Sequence, residues 1–212
     1  MIAGRAREGG LMDRRPSIWA GMALAALAGA ALAAAPPPGW SPGPAAASDL
    51  AHGQAWAEVL PGPDGTGVIH AAVDIPAPAK TVWRVMTDCA FAQRLVVTVT
   101  SCRVLHADPS GAWDVREQVT KGNFIVPEIH NIFRSDYQPY ARIAFRKAGG
   151  DLRAENGEWR LEPIDGGAGT RVIYVNQIGA DIMAPAALVR EGMRRDTPKV
   201  LMNLKRECLA RR

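Results

Sequence analysis

The stretch PAALVREGMRRDTPKVLMNLKRECLA, residues Pro185–Ala210, decides how the rest of the chain must fold. Val189, Met193, Thr197, Val200, Leu201, Leu204 and Cys208 recur at helical spacing and make one stripe. Arg190, Arg194, Lys199 and Arg206 fall on the opposite face. A long amphipathic helix follows, and it needs a surface on which to bury that stripe. Thr197-Pro198 interrupts it. Proline removes one backbone hydrogen bond and clashes with the preceding turn, so a kink or a two-part helix is expected there.

The surface has to come from strands. Trp56–Leu60 and Gly67–Ile75 flank the turn cluster Pro61-Gly62-Pro63-Asp64-Gly65-Thr66, which reads as a hairpin. Pro76-Ala77-Pro78 then ends the strand and opens a helix in which Ala79, Val82, Trp83 and Met86 share one face. A short helical turn is expected around Phe91–Val96. From Val97 to Ile178 the helical period disappears. Candidate strands are Val99–His106, Trp113–Thr120, Ile125–Ser135, Arg142–Lys147, Gly157–Glu162 and Thr170–Ile178. The clusters Asp108-Pro109-Ser110-Gly111, Lys121-Gly122-Asn123, Gly149-Gly150-Asp151 and Asp165-Gly166-Gly167 separate them. Turns this short join antiparallel strands, because parallel pairs need long crossovers. Gly166, Gly167 and Gly169 read as hairpin residues with positive φ, not as a phosphate loop. The fold class is α+β, with the last helix packed on the concave face of an antiparallel sheet.

The ordered set Ile75-Pro76-Ala77-Pro78, Val82-Trp83, Thr87-Asp88, a β-meander, then Thr197-Pro198-Lys199-Val200-Leu201 and Leu204-Lys205 resembles the START-like (SRPBCC) superfamily. Within it, the chain is similar to the polyketide cyclase/dehydrase and lipid-transport group, which includes the coenzyme Q-binding proteins. Gly157-Glu158-Trp159 and Thr170-Arg171-Val172-Ile173-Tyr174 sit where such proteins carry comparable strands. The resemblance covers Gly67 to Ala210 and implies the helix-grip (START/Bet v 1-like) fold, a curved sheet around the C-terminal helix with a hydrophobic cavity between them. Gln93-Arg94-Leu95-Val96-Val97 departs from relatives that carry prolines and an aromatic after the first helix. That segment borders the expected cavity mouth, so ligand identity does not carry over.

The N-terminal quarter has a different composition. Pro16 to Ser48 contains no Lys, Arg, Asp or Glu, and Ile18–Ala35 is an apolar, Ala-rich run preceded by Arg14-Arg15. With Ala31 and Ala33 as an A-x-A pattern, residues 1–35 read as a signal peptide, or else as an uncleaved N-terminal anchor. Residues 36–55, rich in Pro and Ala, read as an extended linker, leaving 56–212 as the ligand-binding domain. The chain carries +4 overall, but Arg5, Arg7, Arg14 and Arg15 lie in the first 33 residues against Glu8 and Asp13. The remainder holds 21 basic and 19 acidic residues, which does not support a phosphate-binding surface, so no nucleic acid is expected.

Zinc-protease, P-loop, dinucleotide and nucleophile-elbow patterns are absent, so no cofactor is expected. His52, His70, His106 and His130 are scattered, and no metal site is expected. Glu128 and His130 share a strand face, as a solvated pair or as a polar group in the cavity. Glu117 alternates with Val115 and Val119, and Asn176 with Val172 and Tyr174. If those partners point inward, Glu117 and Asn176 either bind each other or water or recognise a ligand's polar head, and Asn131 is in the same position. A one-residue error in the alternation flips every one of these assignments. Trp113, Phe133, Trp159 and Tyr174 are core aromatics that also wall the cavity. Val189, Met193 and Leu204 contribute from the helix stripe. Glu117, His130 and Tyr174 are the candidates for acid and base. Cys89 and Cys102 could form a disulfide in an oxidising compartment, or stay free.

The function expected is a periplasmic or secreted carrier of a hydrophobic small molecule: a lipid, an isoprenoid or a polyketide-like compound. Two alternatives stay open. One is a cyclase or dehydratase working in the same cavity. The other is a module at the membrane surface, drawn there by the basic outer face of the last helix.

Overall fold

Turn residues set the strand boundaries, and the strands then leave one face for the last helix. A computed structural model describes residues 39–122, 127–181 and 184–211. The expected signal segment, 1–35, lies outside them. Eight strands are formed: β1 (Trp56–Pro61), β2 (Gly67–Ile75), β3 (Val99–Ala107), β4 (Trp113–Thr120), β5 (Ile129–Gln138), β6 (Arg142–Gly150), β7 (Leu152–Ile164) and β8 (Gly169–Ala180). They make one curved sheet in the order β1-β2-β8-β7-β6-β5-β4-β3, with every neighbour antiparallel. Register shifts at Val99/Ser101, Val104/His106, Ile132/Phe133 and Leu152/Ala154 bend the strands locally.

Among the described residues four α-helices accompany the sheet: α1 (Pro44–Ala51), α2 (Ala79–Thr87), α3 (Ala92–Leu95) and α4 (Ala186–Leu209). The stripe of α4 does what its spacing requires. Leu201, Leu204 and Cys208 are fully buried with Ile69, Val73 and Ile75 of β2 and with Val82 and Val85 of α2. Each such aliphatic side chain contributes about 1.5–3 kcal/mol relative to exposure. The architecture is the helix grip.

Four details differ from expectation. α4 continues through Pro198 instead of dividing into two helices. Thr197 Oγ1 donates to the Met193 carbonyl at 2.7 Å, and the burial of Leu201 and Leu204 keeps the chain helical beyond the missing proline N–H. Residues 44–51 are helical, not extended. Ala46 and Leu50 are buried against Ala72 on the outer face of the sheet, with Trp40 and Trp56 packed beside them. Small apolar side chains there found a surface, and burial outweighed a composition suited to a linker. β5 begins at Ile129, with residues 125 and 126 of the expected strand lying outside the described residues, and β7 begins at Leu152, five residues upstream of the expected Gly157. Lastly, Gly166 and Gly167 adopt positive φ, whereas Gly169 simply begins β8.

Gly157 shows how tightly the inner face is packed. A Cβ there would lie 2.7 Å from the Phe145 ring and 2.9 Å from the Asn176 Cα on the two flanking strands. Only glycine lets Phe145 of β6 and Asn176 of β8 approach across β7.

Candidate functional site

Between the sheet and α4 lies a cavity of about 320 Å³. Its apolar wall includes Ile69, Ile143, Phe145 and Trp159 from the sheet, and Met193, Val200 and Leu204 from α4. Leu95 and Val96 close one side, and Asn203 Nδ2 of α4 donates to the Leu95 carbonyl at 3.0 Å, holding α3 against the helix. Cys89 and Cys102 are joined by a disulfide with Cα atoms 5.4 Å apart. Both line the cavity, so the bond ties the segment after α2 to the edge strand β3. Cys208 stays free and buried, and burial pushes its thiol up to about 12.

Of the residues expected at the site, Asn131, Phe133, Trp159, Tyr174, Met193 and Leu204 line this cavity. Tyr174 stacks on Trp159 with ring centroids 4.0 Å apart. Burial, and then the charge of Glu155, raise its phenol pKa. Asn176 is fully buried behind it and donates from Nδ2 to Tyr174 Oη at 2.8 Å, so it supports the wall without reaching the cavity. Val189 is half-buried on α4 and is not part of the wall.

Glu117, His130 and Trp113 are elsewhere. The pairing of Gln118 with Asn131 and of Arg116 with Phe133 turns those side chains inward, so Glu117 and His130 face outward. Glu117 accepts from Arg103 Nε at 2.5 Å and lies 3.1 Å from His130 Nδ1. The His130 hydrogen bond, then Arg103, lower the Glu117 pKa, and the same contact raises that of His130. Glu128 sits 3.5 Å from His130 Nε2. The Arg134 guanidinium covers the Trp113 ring at 4.2 Å. On β4 the apolar residues Val115 and Val119 mark the outer face, which is the one-residue error that inverts the assignment.

The residues that β4 sends inward are polar. Arg116 is 6% exposed and Asp114 7%. Arg116 Nε donates to Asp114 Oδ1 at 3.1 Å, and its Nη2 donates both to Asp114 Oδ2 and, at 2.7 Å, to Tyr137 Oη. Tyr137 Oη in turn donates to Asp114 Oδ2 at 2.7 Å, and Arg116 Nη1 reaches the Thr87 carbonyl at 3.2 Å. Burial is the largest single influence on Arg116 and opposes its charge, but the hydrogen bonds and charges of Asp114 and Tyr137 together outweigh it and its pKa rises. Burial raises the pKa of Tyr137.

Glu155, near the start of β7, is the other inward carboxyl. Both its oxygens accept from Asn131 Nδ2, at 3.2 and 3.1 Å. Burial pushes its pKa up to about 7, against the lowering effect of Asn131. Arg116, Tyr137 and Glu155 were not legible as site residues. The polar triplet Asp114, Arg116 and Gln118 on one strand face was the available signal, and hydrophobic alternation pointed the other way.

Among the described residues no group of three or more His, Cys, Asp or Glu side chains is placed to hold a metal ion. Nor is any described helix long and apolar enough to cross a membrane. The basic face of α4 is partly neutralised: Arg194 pairs with Glu191, Arg195 and Lys199 with Asp196, and Arg211 with Glu207.

A sheet gripping a long helix over such a cavity invites comparison with known proteins. The family model described as polyketide cyclase/dehydrase and lipid transport matches residues 75–205. The chain belongs to this family. No curated protein sequence matches the chain. Among solved structures, Zhui aromatase/cyclase from Streptomyces sp. R1128 is 17% identical with a TM-score of 0.56, covering 68% of this chain and 94% of that one. A START superfamily protein from Mycobacterium smegmatis is 12% identical at 0.59, covering 68% and 97%. Human STARD10 is 13% identical at 0.60, covering 81% and 82%. At these identities the likeness is one of fold. As a polyketide cyclase/dehydrase and lipid-transport family member, the domain is a hydrophobic-ligand-binding one.

Proposed function

We propose that this family member binds and carries a hydrophobic small molecule, lipid, isoprenoid or polyketide-like, outside the cytoplasm. The observation that carries the reading is the cavity of about 320 Å³ beneath α4, whose wall of aliphatic and aromatic side chains is broken by a polar cluster around Arg116 and by Glu155 with Asn131. Such a lining favours burial and orientation of an apolar body over bond breaking. Export is supported by the uncharged stretch 16–48 behind Arg14-Arg15, by Ala31 and Ala33, and by the Cys89–Cys102 disulfide, which suits an oxidising compartment. Fractionation of the native host, with N-terminal sequencing of the recovered protein, separates cleaved export from an uncleaved anchor. Native mass spectrometry of that material should show a bound apolar molecule. Repeated recovery of the bare mass, with no displacement of a fluorescent lipid, counts against the carrier.

A cyclase or dehydratase in the same cavity is the second reading. It is favoured by Arg116 within 2.7 Å of the Tyr137 hydroxyl, and by Glu155 with its pKa near 7, all in the cavity wall. Turnover of a polyketide-like substrate that disappears in Tyr137→Phe or Glu155→Gln would move the assignment to catalysis.

A further inference from the structure

The charges in the cavity wall are unequal. Asp88, Arg116, Glu155 and Asp196 line it. Arg116 contributes little free positive potential, because Asp114 holds it through two nitrogens. Asp196 is paired with Arg195 and Lys199, and Asp88 accepts the Ala90 N–H at 2.9 Å. Among the described residues Glu155 differs from Arg116 and Asp196 in having no ion pair, and from Asp88, which has none either, in being half-buried instead of exposed. Among the described residues no Lys, Arg or His forms an ion pair with it, and its recorded side-chain partner is the amide of Asn131.

A carboxylate accepts about four hydrogen bonds, and Asn131 supplies one nitrogen shared between the two oxygens. The remaining acceptor sites face a cavity lined by Phe133, Phe145, Trp159 and Tyr174. Ionising a carboxyl in such surroundings is costly unless a cation joins it. Ring faces also attract cations, and more strongly where water is excluded. A group with its own countercharge would have its pKa lowered, as Glu117 does. Glu155 moves the other way.

We propose that the cavity takes an apolar amine, whose ammonium group is held by Glu155 against the aromatic wall. This rests on the reading that the cavity holds a ligand, and it narrows that reading to a charge type. The ammonium supplies the cation that the protein does not, and the apolar body fills the space under α4. An anionic lipid would meet Glu155 charge to charge and is disfavoured.

Three naphthalene probes of nearly equal size test this by titration calorimetry on the full chain: 1-naphthylmethylamine, 1-naphthalenemethanol and 1-naphthoate. At about pH 8, where Glu155 is mostly ionised, the amine should bind about tenfold or more tighter than the alcohol, and the acid weakest. In Glu155→Gln the amine-to-alcohol ratio should fall to about one. An amine that binds no tighter than the alcohol overturns the proposal and leaves the cavity reading intact. So does an amine preference that survives in Glu155→Gln. If none of the three probes binds, the cavity reading itself falls.

Discussion

Glu117 and Glu155 are both held by β5 side chains, yet they sit on opposite faces of the sheet and behave oppositely. Glu117, on the outer face, has Arg103 and His130 for partners, and its pKa is lowered. Glu155, on the cavity face, has only the neutral Asn131 amide among its recorded partners, and its pKa rises to about 7. The difference is one of available countercharge. Outward carboxylates on this sheet are matched by arginines, as in Arg142–Glu158 and Arg171–Asp74. The inward pair Arg116–Asp114 is matched too, but without water to screen it. Glu155 is the inward carboxyl left for a ligand to complete.

The comparison can be broken by experiment, and the largest effect belongs to the buried pair. Asp114→Ala strands the Arg116 charge and should cost about 3–5 kcal/mol in urea denaturation. A loss well under this would mean that water reaches Arg116 and that the inner face is not dry. Next comes Glu155. Its pKa lies above its ordinary value in the fold, so the folded state holds the proton more tightly than the unfolded state does. The stabilising contribution of the carboxyl is therefore full below the ordinary glutamate value and fades as pH rises towards 7. Glu155→Gln removes this dependence. It should be more stable than the parent by about 3 kcal/mol at about pH 8, with the gap closing below about pH 4.5. A pH-independent gap would mean that the fold leaves the Glu155 pKa unshifted, and a gap that widens below about pH 4.5 would place a cation beside it.

Smaller effects test the outer face. Trp113→Ala should leave uptake of a fluorescent apolar probe unchanged, whereas Trp159→Ala should weaken it, because only Trp159 lines the cavity. Equal losses would erase the distinction between the faces. His130→Ala should have the slightest effect. Its pKa is raised by Glu117, so its contribution is present at acid pH, below the ordinary histidine value, and disappears as pH climbs through the raised value. Thermal melts of parent and variant should differ most under acid conditions and converge above neutrality.

Much of the fold was legible, and the reasons are local. Turn residues at Asp108–Gly111 and Asp165–Gly167 bounded strands correctly, and the 185–210 stripe named the helix that the sheet grips. The cavity aromatics Phe133, Trp159 and Tyr174 followed from the helix grip that the resemblance implies, in which core and cavity wall are one surface, and the α4 residues Met193 and Leu204 from the helical period. Glu117 and Arg116 did not. Val115 and Val119 point outward on β4, and alternation alone cannot tell a cavity that wants polar groups from a core that excludes them. Residues 44–51 failed in the opposite direction. Alanine and proline suited a linker until Ala72 on the outer face offered Ala46 and Leu50 a place to be buried.

Sequence by itself therefore determined the antiparallel strands and the amphipathic last helix, because period and turn chemistry act over a few residues, while the family came from a resemblance in its ordered motifs. Tertiary structure decided which face of β4 is the inside, whether Pro198 divides α4, and which carboxyl lacks a countercharge. These depend on cross-strand partners such as Asn131 and Glu155, which lie on strands separated in the sheet order by β6. Register and burial bring them together, and neither is written in the spacing of either strand alone.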